Sequence, residues 1–303
     1  MPELPDITVY VESLERFVVG RTLERITFRS PFVLRSVAPP PSEFEGRTVT
    51  GASRIGKRLV LGFGGGRAIV IHLMVAGRLK WTARTKGQGA KILLAAFDFD
   101  NGTLLLTEAS KKKRASIHLV GSPDELAGFD RGGLDVVSAT PAQFAERLRS
   151  ASHTLKRALT DPTLFDGIGN AYSDEILHRA KLSPLMLTGK LDDAQVDRLH
   201  KACIAILAEW TARLRAETGD AWPEKVTAFR PEMAVHGRYQ LPCPACGSPV
   251  QRIRYADNET NYCATCQTGG RLLADRALSR LLKEDWPRSI DEYDGMIRKG
   301  LEG

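Results

Sequence analysis

Two cysteine pairs near the end of the chain constrain its folding most. Cys243-Pro-Ala-Cys246 and Cys263-Ala-Thr-Cys266 are separated by 16 residues. A Cys-x-x-Cys turn points two thiolates at one ion, and two such turns complete a tetrahedral four-sulfur site, which suits zinc. Protein fills all four positions, so no place is left for water. The expected ion is structural, one Zn2+ per chain, held by a short-stranded knuckle over His236–Gln267. Four free thiols this close would be an oxidation liability, and the spacing is that of a metal site, not a disulfide framework. The fifth cysteine, Cys203, sits in a helical pattern and reads as a small apolar core residue.

Upstream of the knuckle the chain has two textures. At about 150 residues per domain, 303 residues suggest roughly two domains. Asp6–Val19 carries a mostly helical spacing of apolar residues that closes at Gly20. From Leu23 to about Leu119, short β-branched runs alternate with turn residues. Arg25–Phe28, Thr48–Arg54, Arg58–Phe63, Ala68–Leu73, Ile92–Phe99 and Thr103–Thr107 are predicted strands, with hairpin turns at Gly64-Gly65-Gly66 and Asn101-Gly102. Strands of this length and spacing imply an antiparallel sandwich or flattened barrel. After a glycine-rich linker, helices are predicted over Pro141–Ala151, Thr154–Leu159, Tyr172–Ala180, Asp192–Glu217 and Pro231–Val235. One more amphipathic helix, Leu272–Leu282, is expected in the charged tail, packing back on the body together with Trp286. The fold class is α+β: an N-terminal helix with an antiparallel β-sandwich (1–135), a helical domain (136–235), a β-hairpin zinc knuckle (236–268) and an extension (269–303).

The net charge of +7 and pI near 9.2 favour a polyanionic partner. No run of 18 apolar residues marks a membrane span, and the start lacks the basic-then-apolar order of a signal peptide. A cytoplasmic protein without a membrane partner, acting as a monomer, is expected. Met1-Pro2-Glu3-Leu4-Pro5 is an unusual beginning. With Met1 removed, Pro2 would present a secondary amine beside the Glu3 carboxylate, just before a helix. Such an amine, with a pKa near 8, is a usable nucleophile. Gly167-Ile168-Gly169-Asn170 joins two helices; it is either an ordinary turn or an anion site made of helix-start amides and the Asn170 side chain. Lys57 lies at a hairpin turn and His72 at a strand end; by themselves they read as a solvated charge and a structural histidine. Lys111-Lys112-Lys113-Arg114 is a run of like charges that an anion would relieve.

Jointly these pieces resemble the formamidopyrimidine-DNA glycosylase / endonuclease VIII family of base-excision repair enzymes. The matching stretches are Pro2-Glu3-Leu4-Pro5-Asp6, Gly56-Lys57-Arg58-Leu59, His72-Leu73, and Lys156 with Asp161. They continue with Gly167-Ile168-Gly169-Asn170-Ala171-Tyr172-Ser173-Asp174-Glu175-Ile176-Leu177, Val235-His236-Gly237-Arg238 and the four cysteines. They run in family order over about residues 2–267, and Leu4 resembles the formamidopyrimidine branch. The resemblance implies a helix–two-turn–helix domain, a zinc finger and damaged DNA as partner. It implies a glycosylase with AP lyase activity on oxidised purines. Pro2 attacks C1′, Glu3 serves as general acid/base, and Lys57 joins the catalytic centre. His72, Lys156 and Asn170 hold phosphates. Alternatives are an endonuclease VIII-like activity on oxidised pyrimidines, an AP lyase on opened or single-stranded DNA, and a non-catalytic damaged-DNA-binding protein.

The sequence also departs from the family. A finger arginine usually stands five residues before the third cysteine; here that DNA-facing position is Asn258. The family's Asp-x-Arg-Arg-Phe-Gly wedge is replaced by Glu108-Ala109-Ser110-Lys111-Lys112-Lys113-Arg114, without an aromatic. Its void-filling Met position falls at Val75, beside Met74.

Overall fold

The computed structural model describes all residues except 84–90, 225, 228, 256–257, 274–286 and 293–303. The chain forms two compact units: Met1–Gly132 with Ala208–Ala228, and Gly133–Leu207 with Phe229 onward.

In the first unit, helix α1 (Leu4–Phe17) starts where Pro5 lies in the first turn and the Asp6 carboxylate accepts the Glu3 backbone N–H at 3.0 Å. Ile7, Tyr10 and Leu14 recur at helical spacing and are fully buried. Eight strands follow: β1 (Thr22–Phe28), β2 (Arg47–Ile55), β3 (Arg58–Phe63), β4 (Arg67–His72), β5 (Gly77–Thr82), β6 (Leu93–Phe99), β7 (Gly102–Glu108) and β8 (Ser116–Val120). They form one antiparallel ribbon in the order β5-β7-β6-β1-β2-β3-β4-β8. Strands β1 and β2 pair only at Thr22↔Thr48 and Leu23↔Arg47, so the ribbon closes into a sandwich at this narrow seam. Leu59, Leu61, Ile69 and Ile71 from one half share a core with Phe97, Phe99, Leu104 and Leu106 from the other and with α1. The alternate residues Val60, Ala68, Val70 and Val120 face outward beneath Leu126 and Phe129, beside the short helix α2 (Pro123–Ala127).

The two strands the sequence does not announce, β5 and β8, are the two edges of the ribbon. An edge strand pairs on one side only and tolerates charge, which weakens its sequence signal: β5 reads Gly-Arg-Leu-Lys-Trp-Thr. The β6–β7 turn is Asp100-Asn101, and Gly102 is already in the strand. A Cβ there would lie 2.5 Å from the Trp81 ring. Trp222, in an irregular stretch, donates to the Leu79 carbonyl at 3.0 Å and stacks on Trp81.

In the second unit, α3 (Pro141–Arg149) and α4 (Leu155–Thr160) start at Thr140 and Thr154, whose hydroxyls accept backbone N–H groups. Helix α5 (Asn170–Arg179) follows Gly169, and α6 (Asp193–Thr218) begins in this unit and ends in the first. Cys203 is fully buried and burial pushes its thiol pKa up, as expected of a core residue. Strands β9 (Val250–Tyr255) and β10 (Asn258–Cys263) form the hairpin of the knuckle, and α7 (Ala264–Thr268) ends at Gly269, φ 62°. The helix predicted over Pro231–Val235 does not form. The backbone N–H groups of Ala234, Val235 and His236 are all donated to the Glu175 carboxylate at 2.7–2.9 Å, instead of to helical carbonyls.

The predicted tail helix and Trp286 lie outside the described residues from 274 onward. Leu272 is buried with Ile253, Tyr262 and Ala264, and Leu273 N–H donates to the Tyr262 hydroxyl at 2.8 Å. Arg271 and Ser289 bridge, so residues near 290 return to the hairpin. No helix among the described residues is long and apolar enough to cross a membrane.

Candidate active site

In the first unit, the start of α1 sets Pro2 and Glu3 below the surface; Glu3 is 1% exposed. Burial lowers the pKa of the chain's amino group at Met1, and the nearby Arg78 and Lys57 lower it further, while Glu3 and Asp6 pull it back up. Glu3 and Lys57 both lie close enough to the Met1 amine to act on it electrostatically. The shift belongs to the Met1 amine, and it marks a corner whose burial favours the neutral form of an amine. Lys57 reaches this place because Ile55 pairs with Arg58 across a two-residue turn whose first residue, Gly56, has φ 62°, a conformation that favours glycine. Arg78 was missed with its strand. Its guanidinium donates to the carbonyls of Val75 (3.2 Å) and Gly77 (2.6 Å), fixing the turn after His72. In that turn Met74 has φ 52°, a Cβ on Gly77 would strike the Leu73 carbonyl, and Val75 is 58% exposed.

His72 ends β4 in register with Arg58. Burial, then Arg58, Lys57 and His118, push its pKa down to about 4. It is a neutral ring at pH 7, able to donate one N–H but carrying no charge of its own. Lys111, Lys112, Lys113 and Arg114 are exposed in the β7–β8 loop. The loop is closed from beneath: Glu108, 1% exposed, accepts the backbone N–H groups of Arg114 (2.9 Å) and Ala115 (3.1 Å). Lys113 Nζ folds back onto the Glu108 carbonyl, so this ammonium turns inward and the run offers fewer outward charges than its sequence suggests.

In the second unit, α5 organises the remaining candidates. Asn170 Nδ2 donates 2.9 Å to the carbonyl of Glu259, next to Asn258 on β10. Asn258 itself is exposed at the start of that strand. Lys156 Nζ lies 2.6 Å from the Asn170 carbonyl and 2.5 Å from Asp174 Oδ1, with its side chain 11% exposed. Lys156, expected as a phosphate grip, is here paired with Asp174 and the Asn170 carbonyl, an arrangement that positions the Asn170 turn. Asp174 Oδ2 also accepts the Asn261 N–H (3.1 Å) and meets His236 Nδ1 at 2.8 Å. Burial raises the pKa of Glu175, opposed by the three N–H groups that it binds. Asp174, Glu175 and His236 belong to motifs that the sequence displays without announcing these parts. The clue was present: Asn170 and Asp174 are four residues apart, on one face of a helix. Asp161 serves locally, accepting the Thr163 backbone N–H and hydroxyl, which lower its pKa.

The four knuckle thiols fit zinc. The Sγ atoms of Cys243, Cys246, Cys263 and Cys266 all lie within 4.8 Å of one another. Cys243–Cys266 is 4.0 Å and Cys246–Cys263 3.4 Å. Zn–S bonds of about 2.3 Å require tetrahedral edges of about 3.8 Å. Bound zinc would tie both ends of the hairpin and supply no reaction chemistry.

Comparison with known proteins matches three stretches of the chain to family domains. Residues 1–114 match the Formamidopyrimidine-DNA glycosylase N-terminal domain, 135–218 the Formamidopyrimidine-DNA glycosylase H2TH domain, and 240–269 the Zinc finger found in FPG and IleRS. The formamidopyrimidine-DNA glycosylase of Thermus thermophilus is 33% identical over 278 residues, covering 89% of this chain and all of the relative. An uncharacterized formamidopyrimidine-DNA glycosylase-like protein of Mycobacterium tuberculosis is 42% identical over 151 residues, 50% of this chain and 94% of that protein. Among solved structures, Lactococcus lactis Fpg with FAPY-dG-containing DNA superposes with a TM-score of 0.78 at 26% identity, covering 88% of this chain and 100% of that one. The same Lactococcus enzyme has been crystallised with DNA containing an oxidised pyrimidine, at a TM-score of 0.77, 26% identity and the same coverage.

Proposed function

Because the chain belongs to the formamidopyrimidine-DNA glycosylase family, we propose that it is a base-excision repair glycosylase with AP lyase activity, acting on oxidised purines. The observation that carries this reading is the pair Pro2 and Glu3, both buried at the start of α1, in a corner where Lys57 and Arg78 act electrostatically on the chain's amino group. In the working form Met1 is removed. With Met1 in place the Pro2 nitrogen is an amide whose lone pair is delocalised. Freed, it attacks C1′ of the damaged nucleoside as the N-glycosidic bond breaks and the base leaves with the bonding pair. Glu3 moves protons at the sugar. The C1′–O4′ bond then opens, O4′ taking its electron pair and a proton, and the secondary amine is left as an iminium that cannot lose its charge as an imine can. It draws electrons from C2′, a proton leaves there, and the 3′ phosphate is expelled in β-elimination, then the 5′ phosphate in δ-elimination. Asn170, His72 and the Lys111–Arg114 loop hold the phosphates, with Lys156 behind Asn170. The finger is held by its zinc, and residues 269–303 form an extension.

Borohydride reduction of the iminium tests the nucleophile. The processed protein should form a covalent adduct with abasic-site DNA, and Pro2→Gly should lose most of it. Absence of an adduct from the parent points to the non-catalytic alternative; an undiminished adduct from Pro2→Gly removes Pro2 from the mechanism. A second reading, activity on oxidised pyrimidines or on opened DNA, is favoured by the cationic loop without an aromatic and by Asn258. A panel of purine and pyrimidine lesions in single and double strands separates the two.

A further inference from the structure

Helix α5 makes a contact with the metal site that the proposed reaction does not use. Asn170, Asp174 and His178 stand at i, i+4 and i+8, a single stripe along the helix. The first two bond to β10. The third reaches the metal site: His178 Nε2 lies 3.2 Å from Cys243 Sγ. Cys243 is 2% exposed, in an apolar cluster with Val235, Val250 and Cys263.

A zinc ion bound by four thiolates carries a formal charge of minus two. In an apolar surround that charge is stabilised by N–H donors on the sulfurs. The knuckle supplies some itself: the Cys266 N–H approaches Cys263 Sγ at 3.5 Å, and Ser248 bonds to Cys246. These come from within the finger. His178 comes from a helix 65 residues upstream of Cys243, and nothing in the Cys-x-x-Cys pattern requires it.

We propose that His178 is a positioning residue of the zinc centre, donating its Nε2–H to the Cys243 thiolate and so bracing the metal site from the helix that carries Asn170. The inference rests on the metal site alone and stands whether or not the chain excises bases.

Zinc transfer to a chromophoric chelator, from the intact protein at fixed pH, tests it. His178→Phe keeps a ring and removes the donor; release should accelerate roughly tenfold, the scale of outer-shell effects on metal affinity. His178→Gln keeps an N–H and should release within about threefold of the parent. Parent-like release from His178→Phe overturns the proposal. Release from His178→Gln as fast as from His178→Phe also overturns it, since packing alone would then explain the contact. Should the variants not fold, the parent loaded with 113Cd decides: a scalar coupling between the His178 ring N–H and the metal is expected, and its absence rules the donation out.

Discussion

The N-terminal corner and the α5–finger network solve opposite problems. Around the amine, cations and carboxylates are set in opposition: Arg78 and Lys57 lower its pKa while Glu3 and Asp6 raise it. Around α5 the charged side chains are paired within hydrogen-bonding distance: Lys156 to Asp174, Asp174 to His236 and the Asn261 N–H, Glu175 to three backbone N–H groups, while the buried Asn261 Nδ2 has no partner among the described residues. A reactive amine needs a poised, unneutralised environment. A grip on a phosphate needs donors that do not move, and buried pairs of this kind hold side chains in place. On the proposed reading the corner serves the chemistry and the network serves placement.

The largest effect that separates the two should come from Asp174→Ala. Removing this carboxylate leaves the Lys156 ammonium buried without its counter-charge, and breaking such a pair costs about 3–5 kcal/mol. Urea unfolding of the zinc-loaded protein should show a loss of that size. Pro2→Gly, which removes no such pair, should leave the midpoint nearly unchanged. A loss below about 1 kcal/mol for Asp174→Ala would mean that the network is dispensable.

The same contrast governs what could be read from the chain. The corner is legible because its parts are local: Pro2 and Glu3 are neighbours, and Lys57 is announced by a glycine turn. The zinc knuckle is legible because ligand spacing is a property of sequence. Both edge strands escape because β5 mixes charges into a run with one paired side. The predicted helix at Pro231–Val235 fails for a non-local reason: its N–H groups go to Glu175, some 60 residues earlier. Lys156 illustrates the limit best. The family resemblance suggests a phosphate ligand there, and its pairing with the Asp174 carboxylate, one helix further on, is visible only in three dimensions.

A smaller effect is expected at the junction of placement and binding. Asn170 Nδ2 donates to the Glu259 carbonyl, and Asn170→Asp would set a carboxylate against that carbonyl and near the approaching phosphate. DNA affinity should fall about tenfold, the scale of one hydrogen bond lost and a repulsion gained. Because the added charge opposes a polyanion, the deficit should be largest at low salt. Equal affinity across a salt series would remove Asn170 from the interface.

The smallest effect at neutral pH, and the most specific, is expected at His72. Its free-state pKa is held near 4 by burial and by Arg58, Lys57 and His118, against about 6.5 for an unperturbed histidine. In the folded protein the ring is therefore neutral down to about pH 4, whereas the unfolded chain takes a proton below about 6.5. His72 thus supports the fold above pH 6.5, and that support is lost as pH falls from 6.5 towards 4. A phosphate beside the ring acts in the other direction. It favours the protonated form, so the complex binds more protons than the free protein, and DNA affinity should rise as pH falls through this window. At pH 7.5 both states are neutral, and His72→Gln should change affinity only about threefold, the worth of one uncharged hydrogen bond. The discriminating measurement is the NMR titration of the His72 ring with and without DNA. An upward move of the midpoint on binding places a phosphate there. An unmoved midpoint leaves His72 as a structural histidine at the end of β4, and shifts the first unit's share of the grip to Lys57 and the cationic loop.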